Sequence, residues 1–290
     1  MATHSTRLPT LQKLGSTVDP NLDVQAVAND WFARFAKAAG DNDVPRVLDL
    51  LLDDVFWRDM LALTWDFHTF EGKNAVSKFL EDQLKVIQPQ PNSFRLRKDL
   101  VELQRPYEDI AWIQAFFDFD TSAGHASGVF RLVPLPDGSW KAHVVYTNLE
   151  DLKGFPELTG PLRDHQPNHG KWAGKRERER EFFGEEPCVV VVGGGQSGLN
   201  IAARLKMLGL NALDVDLHDK IQPIWGLDEE GELNSVFRGI GGRGEKGKDL
   251  DGLWCMMGNL ALCRFHSKHL ALQIKAHEEN ILGIRYPLED

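Results

Sequence analysis

The apolar positions of the first half recur first at helical and then at strand spacing. Val24, Val27, Trp31 and Phe35 repeat every three or four residues, and Gly40 closes the helix they predict. A second helix, residues 44 to 51, starts behind Asp43 with Pro45 in its first turn, where a missing N–H is tolerated. VFWRD (55–59) and LTWDFHTF (63–70) alternate as strands. KNAVSKFLEDQLKVI (73–87) returns to helical spacing, with Val76, Phe79 and Leu80 on one side, and PQPNS breaks it. Three long strands follow in DIAWIQAFFDFD, ASGVFRLVPL and SWKAHVVYTNLE, the last two joined by a turn at Pro136-Asp137-Gly138. Helices followed by a curved antiparallel sheet over residues 20–150 predict an α+β domain.

A seam at 151–186 interrupts these patterns. DLKGFPELTGPLRDHQPNHG has no apolar periodicity, and the alternating charges of Lys175 to Glu181 predict a short solvated helix within a charged linker. Beyond it, Val189 to Val192 is fully apolar, as a central parallel strand would be. A glycine-rich turn leads into GLNIAARLKMLGL, a helix with Leu199, Ala202, Ala203, Leu205, Met207 and Leu208 largely along one side and Gly209 at its end. Ala212 to Val215 reads as a second strand and Leu253 to Met257 as a third, buried one. The stretch between, GIGGRGEKGKDLDG, reads as a disordered insertion. Gly258-Asn259 makes a tight turn into a helix over 260–279, to which Leu262, Phe265, Leu270, Leu272 and Ile274 give apolar area.

Composition narrows the class of protein. With 42% apolar and 26% charged residues the chain reads as soluble and globular, and a net charge of -10 argues against nucleic acid as a partner. No apolar run approaches the roughly 20 residues of a membrane span. The start, MATHSTRLPTLQKLG, lacks the apolar core of a signal peptide. Cys188, Cys255 and Cys263 lack CxxC spacing and sit in apolar surroundings, so buried reduced thiols in a cytoplasmic protein are expected.

The chemistry concentrates at the glycine turn. Gly193, Gly195 and Gly198 occupy the positions for a tight turn, a close approach of pyrophosphate and a close helix–strand contact. The following helix would offer its unpaired N–H groups to phosphate. Asp216, 23 residues after the first glycine, is placed to accept from ribose hydroxyls, with Asp214 as a nearby competitor. In the first domain Asp59, Asp66, His68, His143 and Tyr146 are available for acid–base work, although packing or dimer formation is the stronger reading of that domain. His266 and His269 stand at metal-ligand spacing, but no third ligand sits nearby in the chain, so no metal is expected.

These stretches resemble a known family. The order of elements in the first domain resembles the nuclear-transport-factor-like cone fold. DMLALTWDFHTFEGKNAVSKFL is similar to the N-terminal extension of one branch of flavin-containing monooxygenases. CVVVVGGGQSGLNIAARLKMLGL resembles the FAD-binding motif of the class B flavin-containing monooxygenases, including the indole-pyruvate type. LWCMMGNLALCRFHSKHLALQIKAHEE resembles the segment that closes their FAD domain. The resemblance implies FAD held by Gly193, Gly195, Gln196, Ser197, Gly198 and Asp216, with Gly258 and Asn259 at the flavin end. It also implies NADPH as reductant and oxygen insertion into a small organic substrate through a flavin C4a-hydroperoxide.

The chain departs from that family in its middle. It has no second GxGxxG, no FxGxxxH and no GDxW-type motif, and IQPIWGLDEEGEL already resembles the family's C-terminal region. The 104 residues from Pro187 to Asp290 therefore read as a partial α/β Rossmann-type FAD-binding domain without the NADPH-binding domain. The expectation is a family member inactive as this shortened chain, its second half marginally stable or dimeric. The alternative is a non-catalytic protein whose cone domain dimerises or binds a small ligand, the flavin half being a relic.

Overall fold

The computed structural model describes residues 8–163, 165, 169–182, 186–215, 241–243, 249–254, 256 and 260–286. The chain divides into two compact units, Met1–Glu150 and Asp151–Asp290.

The first unit opens with α1 (Leu11–Leu14), α2 (Val24–Gly40) and α3 (Val44–Asp49). The two longer helices begin as their sequences require. Asp23 accepts from the Ala26 N–H and Asp43 from the Arg46 N–H, each satisfying an otherwise unpaired donor of the first turn. Helix α3 is shorter than its apolar spacing predicts, because Leu51 already pairs with Ala142 as the first residue of β1 (Leu51–Met60). The remaining elements are β2 (Phe67–Glu71), α4 (Gly72–Ile87), β3 (Arg95–Leu96), β4 (Glu102–Tyr107), β5 (Ile110–Asp120), β6 (Gly124–Pro134) and β7 (Trp140–Leu152). Their order in the sheet is β2-β1-β7-β6-β5-β3, with β4 also pairing with β5.

Two expectations are corrected here. The sheet is mixed, because β1 runs parallel to β7 while β1–β2, β3–β5, β4–β5 and β5–β6 pair antiparallel. And LTWDFHTF is a strand only from Phe67. Its first four residues belong to a tight bend in which Leu61 (φ 66°) and Trp65 (φ 57°) take left-handed conformations that no alternation pattern signals. The short polar strands β3 and β4 escaped the sequence reading for want of an apolar face, and Pro106 within β4 is a further mark against a strand.

The core lies between α2 and one face of the sheet. Along α2 the buried positions are Ala28, Trp31, Phe32, Phe35, Ala38 and Ala39. Along β5 burial alternates, with Ile113, Ala115, Phe117 and Phe119 inward. Aromatic rings fill the interface: Trp31 lies 4.5 Å from Phe130, Phe32 5.5 Å from Phe117 and Phe35 6.1 Å from Trp57, centre to centre. The Trp31 indole donates to the Leu50 carbonyl at 3.0 Å, so its polar edge is satisfied. Helix α4 adds Val76, Phe79, Leu80, Leu84 and Ile87, with Phe79 stacked 4.1 Å from Phe70.

The second unit is built differently. A 3₁₀ turn (Gly160–Leu162) precedes α5 (Trp172–Arg180), the short exposed helix that the alternating charges predict. Then come β8 (Val189–Val192), α6 (Gln196–Met207) and β9 (Ala212–Val215), with β9 parallel to β8 in register Val189↔Ala212 to Val192↔Val215. Strands β10 (Gly241–Arg243) and β11 (Asp249–Trp254) pair antiparallel, and α7 (Leu260–Glu278) follows. Leu158 donates to the Met207 carbonyl at 2.7 Å and Arg204 bridges to Glu157, so this part of the seam is packed on α6.

Several expectations change in this unit. Strand β8 is not a buried central strand: only Val191 is buried, and Val190 is 56% exposed. Of the expected row on α6, Leu205 is buried, and Leu208 just past its end is too, but Gly198 and Ile201 complete the buried face and Leu199 is 61% exposed. Strand β11 starts at Asp249 and joins β10, so among the described residues it is not a third parallel strand. The glycine-rich insertion contributes β10 and the first part of β11, Asp249 to Gly252, and so holds strand where disorder was expected. Leu270, Leu272 and Ile274 are buried on α7, whereas Leu262 and Phe265 are exposed. Cys263 is buried but Cys188 is exposed, against the reading of buried thiols, and Cys255 lies outside the described residues. Among the described residues no helix is long and apolar enough to cross a membrane.

Gly128 makes the core testable. It lies opposite Phe117, and a Cβ there would stand 2.1 Å from the ring's Cζ. The ring is pinned between Phe32, Phe35, Phe119 and Phe130 and cannot swing aside. Gly128→Ala is expected to cost about 1–3 kcal/mol, read as a lower urea midpoint at unchanged slope.

Candidate functional site

The glycine turn is built by three glycines with three separate physical reasons. Gly193 has φ +99°, a conformation open to glycine and strained for other residues. Gly198 faces back onto the turn: a Cβ there would lie 1.9 Å from the Gly193 carbonyl oxygen and 3.4 Å from Val191 Cγ1, so its bare Cα is what lets α6 approach β8. Gly195 caps α6 at φ -74°, a value any residue can adopt, and a Cβ there would meet nothing within 4 Å. The fold thus demands glycine at 193 and 198, while at 195 only something from outside would.

The start of α6 has donors to offer. No side chain caps it, so its first N–H groups lack that partner, and the helix dipole adds a partial positive charge. Gln196 accepts from Asn200 through its carbonyl at 2.7 Å. Ser197 Oγ lies 2.9 Å from Cys263 Sγ, a contact between α6 and α7 across 66 positions that no motif announced. An uncapped helix start of this kind attracts anions as a general matter of its dipole and unpaired donors. Asp214 lies in β9 opposite Val191. Asp216, Gly258 and Asn259 lie outside the described residues.

The acid–base candidates of the first unit form a different arrangement. Asp59 is wholly buried. It accepts from the Leu63 N–H (3.0 Å), the Thr64 N–H (3.0 Å), the Thr64 hydroxyl (2.7 Å) and the Thr147 hydroxyl (2.5 Å). Trp57 Nε1 in turn donates to Thr147 Oγ1 at 3.1 Å. Burial pushes the Asp59 carboxyl up to about 6, against the lowering effect of these donors. His68 is the cross-strand partner of Asp59, yet its ring stacks on Phe70, and both Asp59 oxygens are occupied. Asp66 accepts from the Phe67 N–H at 2.8 Å and His143 packs against Phe56. Tyr146 alternates to the other face, where it donates to Asn148 Oδ1 at 3.2 Å and burial pushes its hydroxyl up to about 12. This geometry makes Asp59 a latch on the bend at 61–66, with its hydrogen-bond acceptor sites committed inside the fold. The ring centres of His266 and His269 are 6.1 Å apart, and among the described residues no group of three or more metal-ligating side chains forms.

No protein-family model and no curated protein matches the chain. Among solved structures, it is similar to nuclear transport factor 2 from Cryptosporidium parvum at 15% identity and a TM-score of 0.35, over 46% of this chain and 100% of that one. A ketosteroid isomerase-like protein from Erwinia carotovora atroseptica matches at 14% identity and TM-score 0.34, over 44% of this chain and 96% of that one. A cystatin-like fold protein from Burkholderia xenovorans matches at 14% identity and TM-score 0.34, over 45% and 95%. The first unit is α+β by its own element and sheet order, with α2 and α4 packed on a mixed sheet.

The Asp59 latch has a pH signature. Its folded pKa lies above that of an unfolded aspartate, so the folded chain holds more protons between about 4 and 6, and stability is lost as pH rises through that window. The loss is on the order of 3 kcal/mol. Asp59→Asn lacks this slope. The stability advantage of the wild type over Asp59→Asn is therefore expected to narrow from pH 4 to pH 7 in denaturant titrations, and a gap that widens would contradict the latch.

Proposed function

We propose that the second unit binds a dinucleotide at the glycine turn, and that this dinucleotide is FAD. The observation that carries the reading is Gly195: an unobstructed glycine, not needed by the backbone, in front of an uncapped helix start. Backbone N–H groups of residues 195–198 would face the pyrophosphate, with the Ser197 hydroxyl beside them. The choice of FAD rests on the resemblance to flavin-containing monooxygenases, and so does the role of Asp216 toward ribose. In that family the bound flavin supplies oxygen insertion into a small organic substrate after reduction by NADPH. This chain lacks the sequence of an NADPH domain, so the proposal is a flavin-binding protein without NADPH-driven turnover of its own.

A second reading is favoured by a separate observation in the first unit. The sheet face turned away from α2 carries Trp112, Phe116, Val129, Arg131, Val144 and Tyr146, all partly exposed. Arg131 lies 4.7 Å over the Trp112 ring and donates to Gln114 Oε1 at 2.9 Å. Burial lowers its pKa, and no carboxylate partner is found for it among the described residues. A broad aromatic face with an unneutralised arginine fits a homodimer formed through the first unit.

Two measurements separate these readings. Gly195→Ala is expected to leave stability within about 0.5 kcal/mol of wild type and to weaken FAD binding about tenfold or more in a fluorescence titration. Gly198→Ala is expected to disturb the fold itself, FAD or not. Absence of FAD binding by the wild type, or equal binding by Gly195→Ala, would reject the first reading. For the second, sedimentation of the full chain is expected to show a dimer that Arg131→Glu converts to monomer, and a wild-type monomer would reject it.

A further inference from the structure

A groove of about 420 Å³ lies between α6 and α7, lined by Asn200, Arg204, Ala261, Arg264 and Phe265. Asn200 and Arg204 are one turn apart on α6, as are Ala261 with Arg264 and Phe265 on α7, so two facing rows form its walls. Its two arginines differ in state. Arg204 is held by both oxygens of Glu157, at 2.9 and 3.1 Å, which fixes the guanidinium and neutralises it. Arg264 is exposed, and among the described residues its guanidinium has no acidic partner. Among the described residues no carboxylate lines the groove, which leaves Arg264 there as an uncompensated positive charge on a chain of net charge -10.

The other walls define the rest of a ligand. Phe265 is 50% exposed, yet its ring sits 5.0 Å from both His266 and His269, centre to centre, which fixes the orientation of an otherwise open aromatic surface. Ala261 adds a small apolar side chain to the lining. Asn200 uses its amide N–H on the Gln196 carbonyl, and its amide oxygen makes no bond among the described residues. The Arg264 guanidinium, an open ring face and the Asn200 amide oxygen, in a space within the roughly 300–1,000 Å³ range of small-molecule sites, specify a compact ligand.

We infer that this groove binds a small aromatic carboxylate, with Arg264 taking the anion and Phe265 stacking on the ring, at a site separate from the glycine turn. The probe is 1-naphthoate, titrated into the full chain by calorimetry, with neutral 1-naphthylmethanol as its comparison. Both key side chains are exposed, so Arg264→Gln and Phe265→Ala are expected to keep the wild-type far-ultraviolet circular dichroism. The expected result is saturable naphthoate binding, weakened about tenfold or more by Arg264→Gln, as loss of a charge-assisted hydrogen bond implies. Phe265→Ala should weaken both probes several-fold, and the alcohol should be indifferent to Arg264→Gln. Absence of saturable binding, or naphthoate affinity unchanged in both variants, overturns the inference. Displacement of naphthoate by FAD overturns the separateness of the site. Gly195→Ala should leave naphthoate binding unchanged, so the failure of either proposal is visible without the other.

Discussion

The parallel pairing of β1 with β7 is the constraint on which the first unit depends. It joins β2-β1 to β7-β6-β5-β3, and a single sheet exists only because these edges meet. Parallel pairing offers no short hairpin to set its register, so side chains must do so. Here Trp57 donates to Thr147 and Thr147 donates to Asp59, across separations of 90 and 88 residues. A buried carboxylate is an expensive way to fix register, and its cost shows in the upward displacement of its own ionisation. What it provides is specificity, because the same oxygens hold the bend between Leu61 and Asp66 and so direct the chain from β1 into β2.

The second unit has no comparable sheet. Among the described residues β8 and β9 pair only with each other, and a single valine of β8 is buried. Its buried side chains are concentrated on α7, where every position from His269 to Ala276 is buried, including Gln273 and Lys275. A helix buried on all sides organises a core by itself, and the packing of α6 on α7 takes over the part that further parallel strands would play. That explains how a glycine turn can keep its geometry on so small a sheet. Gly198 locks α6 to the turn through Gly193, and Ser197 meets Cys263 on α7.

Local periodicity carried much of this architecture in plain view. Helices α2 and α4, strands β5 to β7 and the strand–glycine–helix–strand run at 189–215 all follow from apolar spacing, and Asp43 with Pro45 marks the start of α3. The glycine turn was legible as a candidate site for the same reason, since its roles are played by residues within six positions of one another. Asp59 was legible only as one acid among several. Nothing local distinguishes it from Asp66, and its donors come from a bend with two left-handed residues and from a distant strand.

By itself, then, the sequence determined the elements whose cause is short-range: where helices begin, which strand face is apolar, and which glycines free the backbone at a turn. Tertiary structure alone decided the partner of β1, the exposure of Val190 and Leu199, the pairing of β10 with β11, and the meeting of α6 with α7 that makes the arginine groove. The physical reason is that periodicity encodes that a face is apolar but not what covers it. Burial, register and the fate of a charge are properties of pairs of segments, and the chain states only one member of each pair at a time.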